Sequence, residues 1–183
     1  MTQPWNLASS RPLGDFRIFK LRADRCISPR TGAEHEFIII DAPHWVNIIA
    51  ITTDQQLVMI EQYRVGSQTV ELEIPGGMID PTDANPVEAG LRELREETGY
   101  EGRDALLLAQ VWSNPAIMNN RTYTVLVENC ELKHPTEFDS GEDLTTRLLP
   151  VTEIPQLLAS DKIQHPLVHV ALSHYVHRCN RAS

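Results

Sequence analysis

The chain has 183 residues, of which 42 % are hydrophobic and 22 % charged; 25 Asp and Glu outnumber 16 Lys and Arg, for a formal net charge of −9. This suits a compact enzyme-sized domain with a sizeable core, and it argues against nucleic acid or an anionic membrane as partner, since both are bound through clustered Lys and Arg. No apolar run approaches transmembrane length, the first residues lack the basic and apolar regions of a signal peptide, and Cys26, Cys130 and Cys179 are odd in number with no metal-ligand spacing, so a reduced, cytoplasmic protein is expected.

In chain order, residues 16–26 alternate apolar and polar side chains through Phe16, Ile18 and Leu21. A turn at Ser28-Pro29-Arg30-Thr31-Gly32 leads to residues 36–40, so the pair is predicted as an antiparallel hairpin. Its second half, Phe37-Ile38-Ile39-Ile40, is apolar on both faces and unsuited to a free edge. Residues 45–52 and 57–62 form a second strand pair around Thr53-Asp54-Gln55, and residues 70–74 a short strand. Pro75-Gly76-Gly77 then lets the main chain come close to a bound ion or phosphate, and a carbonyl there would be a neutral oxygen ligand.

A helix is predicted over residues 86–98, with Asn85 as N-cap, Pro86 at the first position and Gly99 as the left-handed C-cap. Val87, Leu91, Leu94 and Thr98 make a stripe at helical spacing. Gly90 within the helix costs about 1 kcal/mol relative to Ala and points to a close approach. Glu93, Glu96 and Glu97 are spaced three and four apart, so all three can face one point. Such a cluster is stable only if a cation neutralises it or if it is a solvated acidic face; hard oxygen donors at this density suit Mg²⁺ or Mn²⁺. Further strands are expected at residues 105–111, 121–128 and 144–149, and helices at 151–160, capped by Thr152, and 166–178. The element order gives an α+β chain with a mixed β-sheet between helical layers.

Arg92-Glu93-Leu94-Arg95-Glu96-Glu97-Thr98-Gly99 and the glycine turn before it resemble the box of the Nudix hydrolases, G-x5-E-x7-R-E-U-x-E-E-x-G-U, where U is bulky and aliphatic. The second half matches as Arg92, Glu93, Leu94, Glu96, Glu97, Gly99 and, with an aromatic at the last position, Tyr100. With Gly77 as the first glycine, Asp83 stands at the first glutamate and one residue is inserted around Ala84. Upstream, Gln62-Tyr63-Arg64 followed by Glu73-Ile74-Pro75-Gly76-Gly77 is similar to the ADP-ribose and nucleoside-diphosphate-sugar pyrophosphatases, with Gly76 in place of the usual alanine.

The resemblance implies a Nudix fold, α/β/α, over residues 44–183, and an antiparallel β extension over residues 1–43 that forms a homodimer and lines the partner's base pocket. It implies hydrolysis of a nucleotide sugar, with ADP-ribose giving AMP and ribose 5-phosphate, helped by two or three Mg²⁺ (or Mn²⁺) ions. The implied metal ligands are Glu93 and Glu97, with Glu96 assisting and the Gly76 carbonyl as a further oxygen. Arg92 would orient a box carboxylate, and Arg64 and Glu73 would line the pyrophosphate and sugar pocket. Glu142 is the favoured general base in the loop spanning residues 135–144, with Glu137 and Asp139 as alternatives.

The segment Ser113-Asn114-Pro115-Ala116-Ile117-Met118-Asn119-Asn120-Arg121 departs from the S-P-G-F-S-acid pattern common in ADP-ribose hydrolases. Asn119 and Asn120 are expected to read sugar hydroxyls or a base edge, since amides donate and accept. That makes GDP-mannose or another nucleotide sugar a rival substrate. Other readings are a hydrolase of dinucleotides or damaged triphosphates, and a non-catalytic Nudix sensor of nucleotide sugars. Trp5, Phe16, Trp45 and Trp112 are stacking candidates or core residues, and the seven histidines are assigned no role.

Overall fold

The computed structural model describes residues 2–182. Its contacts divide the chain into two units, Met1–His44 with Trp112–Arg121, and Trp45–Val111 with Thr122–Ser183.

The first unit is a three-stranded antiparallel sheet in the order β1 (Asn6–Asp15), β2 (Lys20–Ile27), β3 (Glu34–Asp41). The predicted hairpin is thus the β2–β3 part of a larger sheet. The extra strand β1 carries register shifts between Leu7 and Ser9 and between Pro12 and Gly14, which break the two-residue alternation that reveals strands in a sequence. Residues 16–19, expected in a strand, form the β1–β2 connection, where the Phe16 amide donates to the Phe19 carbonyl and Arg17 takes φ 70°.

The second unit is built on a sheet of order β11-β5-β4-β10-β8. Its strands are β4 (Trp45–Thr52), β5 (Gln56–Arg64), β6 (Thr69–Glu73), β7 (Gly76–Met78), β8 (Tyr100–Glu101), β9 (Asp104–Trp112), β10 (Arg121–Leu132) and β11 (Leu144–Pro150). β6 adds to β5, β7 to β4 and β9 to β10. β4 and β10 run parallel while β4–β5, β5–β11 and β5–β6 are antiparallel, so the sheet is mixed.

Side chains alternate across central β4. Val46, Ile48 and Ala50 pack in a cluster with Ala89 and Leu94 of helix α1 (Pro86–Thr98). Ile49 and Ile51 turn to the other face, into a cluster with Ile154 and Leu157 of α2 (Ile154–Leu158) and Val168, Ala171 and Leu172 of α3 (Pro166–Ala182). Each such buried aliphatic side chain contributes about 1.5–3 kcal/mol. The result is the α/β/α sandwich expected.

Gly90 of α1 meets side chains rather than backbone: a Cβ there would lie 3.3 Å from Ile48 and Val125. The helix expected at residues 151–160 is instead a 3₁₀ turn, Val151–Glu153, running into the short α2, and neither has a side-chain cap, so Thr152 does not cap it. Pro155 in the first turn of α2 explains the late start, since proline cannot donate inside a helix. No helix among the described residues is long and apolar enough to cross a membrane.

Candidate active site

The site begins with the ends of α1. Asn85 Oδ1 accepts from the amides of Val87 (2.9 Å) and Glu88 (3.1 Å), and Gly99, at φ 73°, closes the helix by donating to the Arg95 carbonyl. The helix so fixed turns Glu93 and Glu97 inward, to 8 % and 2 % exposure, which removes the solvated-face reading for these two. The Glu97 carboxylate accepts the Gly76 amide at 2.9 Å. Glu93 lies over Gly77 so closely that a Cβ there would fall 2.5 Å from its Oε1.

Arg92 is the hub of the acidic cluster. Its Nε and Nη2 fork onto Asp83 at 3.1 and 2.9 Å, its Nη1 donates to Glu93 and Glu96, both at 3.0 Å, and its Nη2 also reaches the Met78 carbonyl. Asp83, the residue standing at the first glutamate of the box, is thus the anchor of the box arginine. The Arg92 guanidinium holds the Asp83 carboxyl below the usual range. Burial pushes Glu93 up to about 7 against the pull of Arg92. Burial pushes Glu97 up to about 8, opposed by the Gly76 amide and reinforced by Glu93 and Glu142.

Beside this cluster is a cavity of about 980 Å³, bordered by Gly76 and Gly77 and lined further by Arg64, Glu71, Glu73 and His165. Strand β6 supplies Thr69, Glu71 and Glu73 from one face by its two-residue alternation. Arg64 forks onto Glu73, Nε to Oε1 at 2.7 Å and Nη2 to Oε2 at 2.9 Å, with Glu73 only 3 % exposed. The register of β5 and β6 brings them together, with Arg64 opposite Thr69 and Ile60 opposite Glu73. The bond to Glu73 raises the Arg64 pKa.

His165 sits just before α3, its Nδ1 accepting from the Leu167 amide at 3.3 Å, and burial lowers its pKa. Asn47 ties the same helix start to β4 through the Leu167 carbonyl.

Glu142 belongs to the loop before β11 and accepts the Asp139 amide at 2.9 Å. It is close enough to raise the pKa of Glu93 and Glu97 electrostatically. The same loop is tied to α1 through the Glu137 amide, which donates to the Glu96 carbonyl.

As they stand, no three His, Cys, Asp or Glu side chains among the described residues converge in an arrangement that would hold a metal ion. Arg92 occupies Glu93 and Glu96, and Glu97 is turned to the Gly76 amide.

Asn119 and Asn120, expected to read substrate, belong to the first unit and have partners within the chain. Asn119 donates to Asp41 at 2.6 Å and accepts from the Ala42 amide, and Asn120 donates to the Pro43 carbonyl at 2.9 Å with no exposed surface. They fasten residues 112–121 to the end of β3, an amide's other use; this closes Asn120 to a ligand, whereas Asn119 stays partly exposed. Of the aromatics, Trp45 lines the cavity, Trp5 packs edge-on against His35 and Phe37, Phe16 stacks on Phe19, and Trp112 carries the Arg121 guanidinium 4.1 Å from its ring centre. Glu71 and His165 went unmarked in the sequence; the i, i+2 spacing of Glu71 and Glu73 was the available signal.

Residues 43–169 match the NUDIX domain, and the chain belongs to the Nudix hydrolase family. It is 28 % identical over 159 residues to the methanol dehydrogenase activator of Bacillus methanolicus, across 86 % of this chain and 85 % of the relative. It is 25 % identical over 126 residues to the ADP-ribose pyrophosphatase of Bacillus subtilis (strain 168), across 68 % of each. Over 111 residues it is 29 % identical to the ADP compounds hydrolase NudE of Escherichia coli (strain K12), across 61 % of this chain and 59 % of the relative. The crystal structure of an ADP compounds hydrolase superposes with a TM-score of 0.87 at 22 % identity, across 100 % of this chain and 98 % of that one, a likeness of fold.

Proposed function

We propose that this chain hydrolyses the pyrophosphate bond of a nucleoside diphosphate sugar with the help of Mg²⁺ or Mn²⁺, ADP-ribose giving AMP and ribose 5-phosphate. The observation that carries the reading is the burial of Glu93 and Glu97 against Gly77 and Gly76, glycines that also border the 980 Å³ cavity. Carboxylates kept out of water beside one another are unfavourable when ionised and become favourable once a cation joins them. The donors suit a hard cation by their chemistry: Glu93 and Glu96, released from Arg92, and Glu97, released from the Gly76 amide, would with the Gly76 carbonyl hold two or three such ions. Bound there, the ions supply neutralisation of the pyrophosphate charge and acidification of the attacking water.

The remaining work falls to the chain's own groups. Arg92, anchored on Asp83, keeps the box carboxylates aligned rather than touching substrate. Arg64 presents a planar fork suited to a phosphate, and the buried Glu73 aims it into the cavity. Glu142 receives the proton of the attacking water, at the end of a loop already tied to α1.

Relatives named for ADP-ribose and for ADP compounds support an adenosine substrate. We further infer a cytoplasmic enzyme in which residues 44–183 carry the chemistry and residues 1–43 pair two copies as a homodimer; exposed Leu7, Phe37 and Ile38 on the first unit support the pairing.

The test is a panel of ADP-ribose, GDP-mannose, other nucleotide sugars, dinucleotides and nucleoside triphosphates with Mg²⁺ or Mn²⁺, the products weighed by mass spectrometry. AMP with ribose 5-phosphate as the fastest reaction supports the reading. Preference for GDP-mannose moves the substrate while keeping the reaction. Binding of nucleotide sugars without hydrolysis under either metal refutes the enzyme and leaves a sensor.

A further inference from the structure

The cavity is not uniform along its length. Trp45 and Met78, paired across β4 and β7, give it one apolar wall, with Val46 beside them. Along β6 the lining turns polar, through Ser67, Thr69 and Glu71, and His165 faces the same space.

Glu71 is a carboxylate only 9 % exposed. Its Oε1 accepts from the hydroxyl of Thr69, whose oxygen lies 2.6 Å from the Ser67 hydroxyl, itself 3.4 Å from Oε1. No protein hydrogen bond reaches Oε2 among the described residues, and Glu71 is one of the residues that line the cavity. Unlike Glu73, which Arg64 neutralises, Glu71 forms no ion pair among the described residues. A buried carboxylate with an oxygen left for a partner is an acceptor waiting for a donor. A nucleotide sugar offers its sugar hydroxyls and the amine of its base, and the neighbouring imidazole of His165, itself a donor, matches a diol that can give and receive.

Resting on the function proposed above, we propose that Glu71, with His165 across the cavity, forms a subsite that reads the vicinal hydroxyls of the substrate's sugar. The Glu71 Oε2 accepts from one hydroxyl. His165, whose Nδ1 is already an acceptor for the Leu167 amide, is neutral with its proton on Nε2 and donates to the neighbouring oxygen. Burial lowers the His165 pKa and keeps this tautomer through neutral pH. A carboxylate and an imidazole N–H together complement a diol, whose two hydroxyls can give one hydrogen bond and receive another. The subsite rejects a diphosphate ester that ends in a plain alkyl group, because the desolvated Glu71 then stays unpaired.

The experiment compares two substrates of the full chain, ADP-ribose and the ethyl ester of ADP, in the wild type and in Glu71→Gln and His165→Phe. Hydrogen bonds to a charged group set the scale, so the preference for ADP-ribose in kcat/KM should fall by about 10- to 100-fold in Glu71→Gln. It should fall less in His165→Phe, a half-buried position that tolerates a ring of similar size. Equal losses on both substrates, or an unchanged ratio in both variants, would overturn the subsite. Should the wild type hydrolyse neither compound, calorimetric binding decides. Tighter binding of ADP-ribose than of the ethyl ester, lost in Glu71→Gln, upholds the subsite while the proposed activity falls; equal binding of the two overturns it.

Discussion

Stripped of divalent ions, this protein should lose stability as the pH rises from 6.5 to 8.5, the opposite of what a paired carboxylate produces. Burial raises Glu93 to about 7 and Glu97 to about 8. A group that holds its proton more tightly folded than unfolded stabilises the fold while protonated. That stability declines above the unfolded value and is gone once the pH passes the folded one. Above pH 6.5 Glu97 has about one and a half pH units left to run and Glu93 about half a unit. At about 1.4 kcal/mol per unit this amounts to about 2–3 kcal/mol, and both side chains are too buried for solvent to screen it away. At 2–4 °C per kcal/mol for a chain of this size, the melting temperature should drop by about 5–10 °C.

The window matters, because two other groups work in the opposite sense outside it. His165, lowered by burial, adds stability as the pH rises toward its ordinary value near 6.5. Asp83, held low by Arg92, changes its contribution only in more acid solution. Melting curves in EDTA at pH 6.5, 7.5 and 8.5, repeated with millimolar Mg²⁺, measure the effect. The metal should restore about 2.7 kcal/mol at a hundredfold excess over its Kd and flatten the slope. Glu97→Gln, which keeps an acceptor for the Gly76 amide but cannot ionise, should remove most of the slope without metal. A flat or rising curve in EDTA, or the same slope in Glu97→Gln, would refute the reasoning.

The same substitution tests the chemistry: Glu97→Gln should reduce kcat/KM by 100-fold or more with the circular dichroism unchanged, and retention of more than about a tenth of the activity, a deficit below roughly 1.4 kcal/mol, would remove Glu97 from the metal site. Asn85→Ala should cost about 1 kcal/mol in denaturant unfolding, since the Val87 and Glu88 amides lose their acceptor. Gly99→Ala should cost more, because the position has φ 73° and a Cβ would fall 2.1 Å from the His134 carbonyl, whereas Gly66→Ala, with nothing within 4 Å, should be nearly neutral. Sedimentation at micromolar concentration should give a dimer; a monomer with full activity would show that the first unit serves some other end.

How much of this was legible in the sequence depended on how local the cause was. Helix α1 has the expected bounds because its start and stop are written into Asn85, Pro86 and Gly99. Strand β1 lies in the β extension that the resemblance implies over residues 1–43, but its residues do not reveal it, because its bulges interrupt the alternation that makes a strand visible. The 3₁₀ turn before α2 falls inside the helix expected over residues 151–160 because Thr152 resembles an N-cap, while the helix proper starts only at Ile154, beside Pro155. Pairing across strands is not local at all: nothing in the residues between Arg64 and Glu73 says that one forks onto the other until the β5–β6 register is known. His165 has no role in the sequence reading because its place depends on tertiary packing: Pro166 begins the helix and leaves the imidazole outside it, at the cavity.

Asn119 and Asn120 show the limit of reasoning from side-chain chemistry alone. An amide that can read a sugar can equally bond a neighbouring strand end, and for Asn120 burial decides which. Burial also decides the acidic helix. Glu93, Glu96 and Glu97 have the same spacing on a solvated face as in a metal site, and no property of α1 distinguishes the two. The distinction comes from β7, which pairs with β4 and lays Gly76 and Gly77 beside the helix. Because Gly77 has no side chain, the Glu93 carboxylate fills the space a Cβ would need. The glycines expected to bring the main chain close to an ion or phosphate matter as much for what they allow the helix carboxylates to do: to sit out of water, at the edge of a cavity large enough for a nucleotide.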